Sequence, residues 1–240
     1  MDPCEYFIAL FNPLLKSFSL SLSEAIQQKA ALYLLHLLQE NVRVNLTGYK
    51  TMEEMMVYHL LDSSLLNAAM PVREGETITD VGSGAGTPGI FLGIFQPGCR
   101  INLVESVKKK SRFLRFIQEQ LGLENCTIIE KRAEVAAHES AWRERSDWVT
   151  ARALAPLSQT LELTVGFVRV GGKLVLPRGE ADAGGVREEV LEWLGLRASG
   201  MERYRLPGRD AEFVRLFFEK VGETPEKYPR KPGQISKRPL

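Results

Sequence analysis

The chain has 240 residues, 44% of them hydrophobic and 25% charged, a composition that suits one full α/β domain with a modest extension. Its 31 basic and 30 acidic residues leave a net charge of +1, so bulk charge announces no nucleic-acid partner, and no apolar run approaches the about 20 residues of a membrane span. Scattered cysteines (Cys4, Cys99, Cys126) and histidines (His36, His59, His138) give no support to a disulfide framework or a metal cluster, and MDPCEYF does not read as a signal peptide; a cytoplasmic monomer without metal or membrane is expected.

The first 70 residues read as a helical extension. Ser23 opens a leucine-rich stretch with helical spacing at Leu32, Leu35 and Leu38, and a second periodic run spans Met52 to Ala69. The polar string NVRVNLTGYK between them reads as a loop. From residue 71 to 222 the pattern becomes that of an α/β domain. Short β-branched runs at Thr77–Val81, Arg100–Val104, Thr127–Glu130, Trp148–Ala151 and Lys173–Leu176 alternate with helical stretches, the mark of βαβ units around a mostly parallel, doubly wound sheet. Met201–Leu206 and Phe213–Glu219, separated by PGRDAE, predict a hairpin at the sheet's end. Residues 223–240 form a basic tail that reads as irregular from Tyr228 onward.

The most informative string is Asp80-Val81-Gly82-Ser83-Gly84-Ala85-Gly86-Thr87-Pro88-Gly89, set between a predicted strand and a predicted helix. It has two parses. Gly84, Gly86 and Gly89 satisfy the dinucleotide fingerprint GxGxxG. Asp80, Gly82, Gly84 and Gly86 satisfy the acid-x-Gly-x-Gly-x-Gly pattern of class I methyltransferases. Glu105 ends the next strand about 20 residues on, where an acid would hydrogen-bond ribose hydroxyls in either cofactor. Hydride transfer usually needs a proton donor or acceptor beside the substrate carbon, and no Tyr–Lys, catalytic Cys or His–Asp arrangement stands out. Methyl transfer to a nitrogen lone pair dispenses with that machinery. The residues therefore favour S-adenosylmethionine, with an NAD(P)-dependent oxidoreductase as the alternative.

Several strings in order resemble one family. NLTGY (Asn45–Tyr49), HLLDS (His59–Ser63), DVGSGAGTPGI (Asp80–Ile90), VESVKKKSRFL (Val104–Leu114), RAE (Arg132–Glu134), TARALAPL (Thr150–Leu157) and the tail YPRKPGQISKRPL are similar to the bacterial glucose-inhibited division protein B family, the 16S ribosomal RNA guanine-N7 methyltransferases. The resemblance implies a class I methyltransferase fold and methyl transfer from S-adenosyl-L-methionine to guanine N7 in small-subunit RNA. The pattern and the resemblance together make Asp80, Gly82, Gly84, Gly86 and Thr87 cofactor-loop residues, with Gly82 and Thr87 along the methionine and adenosine sides. By the same resemblance Glu105 holds the ribose, Ala133 and Glu134 border the adenine, and Arg152 stands at the mouth of cofactor and substrate as the catalytic candidate. Methylation of another RNA or of a small molecule is the neighbouring alternative.

Two basic segments, Lys108–Arg115 and the tail, are candidates to hold RNA phosphates. For the first, the competing reading is the wet face of a helix whose Phe113, Ile117 and Leu121 are buried. The tail is expected to act on RNA alone, so that its deletion leaves cofactor affinity unchanged. His59 and Asp62 are expected to join helix to domain, and Asn45 to cap or brace a loop. The chain departs from the family at Tyr58, where a basic residue is common, and at Arg178, where lysine is frequent. RDAEFV, with Ala211 and Glu212, also lacks a common Arg-His pair. These departures bear on RNA contacts.

Overall fold

Five consecutive buried residues, Thr77–Val81, form strand β1, as expected of a strand covered on both faces. In the computed structural model, which describes residues 3–182, 184–231 and 233–240, β1 is an interior strand, third in a sheet of seven. The others are β2 (Arg100–Val104), β3 (Cys126–Ile129), β4 (Ser146–Thr150), β5 (Val168–Gly179), β6 (Leu196–Arg205) and β7 (Glu212–Lys220), in the order β3-β2-β1-β4-β5-β7-β6. Met1 and Asp2 of the expected extension and Pro232 of the expected tail lie outside the described residues.

The first five strands pair with one another in parallel, and β7 runs antiparallel to both β5 and β6. That inserted strand departs from the 3-2-1-4-5-6 order of dinucleotide-binding sheets. β5 is much longer than its expected core, because its far half pairs from Lys173↔Glu219 to Gly179↔Phe213 with β7. Pro177 and the pair Gly171–Gly172 conceal it in the sequence, since both residue types weaken a strand pattern.

The connecting helices are α5 (Gly89–Phe95), α6 (Lys108–Leu121), α7 (Ala133–Ala136), α8 (Leu157–Val165) and α9 (Glu188–Leu194). Before them come α1 (Pro3–Ser17) and α2 (Glu24–Val44), the latter capped where Ser23 Oγ accepts from the Ile26 amide. α2 runs on to Val44 and ends at Asn45 in the left-handed region (φ 51°), so the expected loop is shorter than NVRVNLTGYK and Asn45 is its cap. Residues 52–69 are continuous: α3 (Met52–Met55), a π-helical turn (Met56–Leu61) and α4 (Asp62–Ala69). Thr51 and Glu54 close a capping box at its start.

Hydrophobic burial fixes where these layers sit. Phe7, Phe11, Leu34 and Leu37 join Phe91, Phe113 and Ile117 in one core, so α2 packs through Leu34 and Leu37, while Leu32 of the expected spacing is exposed and Leu35 and Leu38 are half-buried. Tyr33 and Phe91 meet edge to face at 4.9 Å. A second core on the opposite face gathers Val149, Leu161, Phe167, Leu174 and Val190. Cavities open beside the carboxyl ends of β1, β2 and β4, where Gly82, Glu105 and Arg152 lie, the position at which open α/β sheets bind ligands.

Candidate active site

The loop after β1 is shaped from below by Asp80. Its carboxylate is fully buried, and Oδ2 accepts from the Gly89 amide at 3.0 Å. Burial pushes this carboxyl up to about 7, against the lowering effect of hydrogen bonds. A Cβ on Gly89 would lie 2.1 Å from Leu103 Cδ2 and 2.6 Å from Asp80 Oδ2, so glycine is needed there for close approach. From above, Tyr33 on α2 donates to Ala85 O at 2.8 Å and lies 3.2 Å from Thr87 Oγ1. Gly84 is different: its φ of +59° favours glycine, and a Cβ there would meet nothing closer than Gly82 O at 3.8 Å. Its amide donates to Glu105 Oε2 at 2.9 Å while Glu105 Oε1 accepts from Val107 N at 2.7 Å.

Two cavities open along this edge and share Gly82, Lys110 and Ala153. The larger, about 390 Å³, contains Gly84, Thr87 and Arg152. The smaller, about 360 Å³, contains Glu105, Ala133 and Glu134. Glu134 is buried and accepts from Arg132 Nε at 2.7 Å. Asp80 and Gly86 line neither cavity. Asp80 sits beneath the loop, and a Cβ on Gly86 would point at Ile90 and Leu114 instead. Both shape the loop from its protein side.

Arg152 is held by three acceptors from the helical extension. Its Nη1 donates to Tyr58 O and Asp62 Oδ2, each at 2.7 Å, and Nη2 lies 2.8 Å from His59 Nδ1. Because a guanidinium only donates, Nδ1 must be the bare nitrogen of His59. Nε2 therefore carries the proton and donates to Thr47 Oγ1 at 3.0 Å. The free carboxylate oxygen of Asp62 accepts from Tyr204 Oη at 2.7 Å. The π-helical turn brings Tyr58 O, His59 and Asp62 to one guanidinium, in keeping with the frequency of such turns at functional sites.

Burial, then the adjacent Arg152, holds His59 well below the usual histidine range. Below about pH 6.5 an unfolded histidine takes up a proton that native His59 refuses, so stability falls as pH drops through that window. Asp80, raised in the native state, contributes the opposite slope up to about 7. His59→Gln is thus expected to flatten the acid-side loss seen in chemical unfolding at pH 5 to about 6.5; an unchanged slope would reject the neutral-histidine assignment.

Sequence reasoning missed several parts of this site. Lys110 belongs to both cavities rather than to a wet helix face, whereas Lys108, Lys109 and Arg112 are exposed and Phe113, Ile117 and Leu121 buried. Tyr49 and Tyr58 stack at 4.9 Å, and the Arg209 guanidinium stands 4.5 Å from the Tyr58 ring. A charge approaching position 58 from the β6–β7 loop has no signal in the local sequence. The tail is also docked rather than irregular: Tyr228 and Ile235 are buried, and α10 (Gln234–Lys237) follows Gly233. Arg230 turns inward to Glu162, so it is not among the charges open to phosphates.

A family model described as GidB, rRNA small subunit methyltransferase G, matches residues 26–200. The ribosomal RNA small subunit methyltransferase G of Alkaliphilus metalliredigens is 37% identical, over 85% of this chain and 86% of its own length. That of Lactobacillus acidophilus is 32% identical over 100% of both chains. Among solved structures, Aeropyrum pernix fibrillarin with natively bound S-adenosyl-L-methionine matches at TM-score 0.51 and 22% identity, over 67% of this chain and 74% of that one. M. jannaschii TYW2 in complex with AdoMet matches at TM-score 0.52 and 16% identity, over 68% and 76%; at these identities the likeness is one of fold. The strand order, the glycine loop above its buried acid and the match over residues 26–200 converge: this chain belongs to the GidB family, the rRNA small subunit methyltransferases G.

Proposed function

We propose that this protein transfers a methyl group from S-adenosyl-L-methionine to N7 of a guanine in small-subunit (16S) ribosomal RNA. The observation that carries the reading is the pair of adjoining cavities at the carboxyl ends of β1, β2, β3 and β4. The residues fit the donor. Gly84 leaves a space that any Cβ would fill, and Glu105 offers a fixed carboxylate to ribose hydroxyls. Ala133 and Glu134 border the adenine in the smaller cavity, Gly84 and Thr87 line the larger, and Gly82 belongs to both. When bound, the cofactor supplies a sulfonium-activated methyl carbon.

Neutral guanine already has a lone pair at N7, so no side chain has to remove a proton before attack. The chain's work is alignment, which is worth much of a barrier when the reacting atoms are held in line. Arg152 has N–H groups beyond those bound to Tyr58, His59 and Asp62, and these position the target nucleotide. N7 must be presented outside a stacked helix, so the guanine enters from a single-stranded loop or turned out of its stack. Exposed Lys108, Lys109 and Arg112 track phosphates, and RNA affinity falls with salt.

The fold's antiparallel β7 and the family match favour this reading over an NAD(P)-dependent oxidoreductase. No helix among the described residues is long and apolar enough to cross a membrane, and no group of three or more His, Cys, Asp or Glu among them could hold a metal ion. A monomer working in the cytoplasm is the accompanying proposal. In thermal-shift assays, S-adenosylhomocysteine at 100 times its dissociation constant is expected to stabilise the protein by about 2.7 kcal/mol, and NAD(P) not at all. Tritium from labelled S-adenosylmethionine is expected in small-subunit RNA as 7-methylguanosine. Stabilisation by NAD(P) instead, or label only in another acceptor, would reject the assignment.

A further inference from the structure

The smaller cavity is not closed by the sheet and its loops alone. Gly233, Ile235 and Ser236 of the C-terminal segment form part of its wall, beside Leu154 and Leu163. Ile235 is 5% exposed, so its side chain is spent on this wall and the packing behind it.

The path that brings Ile235 there is tightly specified. Arg143 donates to Thr224 O at 2.7 Å and Tyr228 O at 3.0 Å, reading the backbone of the segment as it leaves β7. His138 Nε2 donates to Pro229 O at 2.8 Å. The strongest tie comes next. Glu162 on α8 is fully buried, and its carboxylate accepts from the Arg230 amide (2.9 Å), Arg230 Nε (2.7 Å) and Arg230 Nη2 (2.5 Å). A buried carboxylate is costly unless paired and hydrogen-bonded, and the hydrogen bonds found on the Glu162 carboxylate all come from Arg230. Charge-assisted bonds of this geometry are the strong class. Fixed at Arg230, the chain turns at Gly233 and delivers α10 to the cavity.

We propose that the C-terminal segment is a structural part of the cofactor site: Ile235 supplies an apolar wall to its adenosine half, and the Glu162–Arg230 pair is the latch that holds it there. This rests on the cofactor reading given above and runs against a tail that serves RNA alone. A purine ring is flat and largely apolar on its faces, and Ile235 with Leu154 and Leu163 offers the matching surface. Without residues 233–240 that side of the cavity opens to water.

Calorimetric titration with S-adenosylhomocysteine and with 5′-methylthioadenosine tests this on the full chain, Ile235→Asp, Ile235→Val and a chain ending at residue 231. Ile235→Asp and the shortened chain are expected to lose roughly tenfold or more in affinity, about 1.4 kcal/mol, by the same factor for both ligands because both carry the adenosine. Ile235→Val is expected to bind as the full chain does. Equal affinity for the full chain and Ile235→Asp would overturn the proposal, and so would a loss confined to RNA affinity. If the shortened chain does not fold, Ile235→Asp still decides: its buried carboxylate is expected to lower the melting temperature, and its affinity is read at a temperature where circular dichroism shows it folded. Failure of the full chain to bind either ligand would reject the cofactor site itself, a different outcome from binding that ignores the tail.

Discussion

Arg152→Ala is expected to lower the melting temperature by roughly 10 °C, from about 3 kcal/mol lost when a buried ion pair is broken on one side, and to cut methyl transfer more than about 100-fold. The stability loss follows from what stays behind. Asp62 is buried, with Tyr204 Oη as its other side-chain partner, and His59 Nδ1 loses its donor in the protein interior. Arg152 is 20% exposed through its side chain against 8% for Asp62, so solvent recovers only part of the loss. Arg152→Lys is not a conservative repair, because one ammonium cannot reach Tyr58 O, Asp62 and His59 in the fork geometry of a guanidinium. The double variant Arg152→Ala/Asp62→Ala separates bracing from positioning. Removing the orphaned carboxylate is expected to return much of the stability, while methyl transfer stays lost and S-adenosylhomocysteine affinity changes less than about tenfold. Recovery of activity along with stability would reduce Arg152 to a brace.

The glycine loop could be read from the sequence because every part of it is local. Strand, Asp80, glycines and the start of α5 follow one another, so the chain order already contains the geometry. Glu105 was accessible for the same reason, as the first residue past β2. The Arg152 cluster was only half legible. His59 and Asp62 could be assigned a bracing role, yet the partner lies at position 152 and is reached only because a π-helical turn rotates both side chains to one side. Periodicity over Met52–Ala69 predicts the helix and is silent about such a turn.

The tail failed for a different physical reason. Prolines and basic residues without interspersed acids read as a solvated, irregular segment, because composition counts charges and does not show which way they point. Arg230 points inward to a carboxylate 68 positions away, and Glu162 itself looks like an ordinary polar residue on an amphipathic α8. Tyr33 is a comparable case. It sits among leucines on the buried face of α2, and only the fold reveals that its hydroxyl ends at Ala85 O and Thr87.

Two glycine variants should part company more sharply than any other pair. Gly84→Val is expected to abolish measurable cofactor binding, a loss of more than about 100-fold or about 2.7 kcal/mol, with a modest cost in stability of about 1–3 kcal/mol from a β-branched residue at positive φ. The added Cβ meets no protein atom nearer than 3.8 Å, so what it fills is the larger cavity. Gly89→Val is expected to fail as a fold. Its Cβ alone would overlap Leu103 and Asp80, both fully buried, and overpacking costs about 1–3 kcal/mol even where neighbours can shift. It also displaces the amide that serves Asp80 Oδ2. Circular dichroism and calorimetry on the two proteins therefore read different halves of one sequence string. If Gly84→Val bound S-adenosylhomocysteine as tightly as the parent, the cavity beside it would not be the cofactor's. If Gly89→Val folded and melted like the parent, the buried Asp80 would not be what sets the loop.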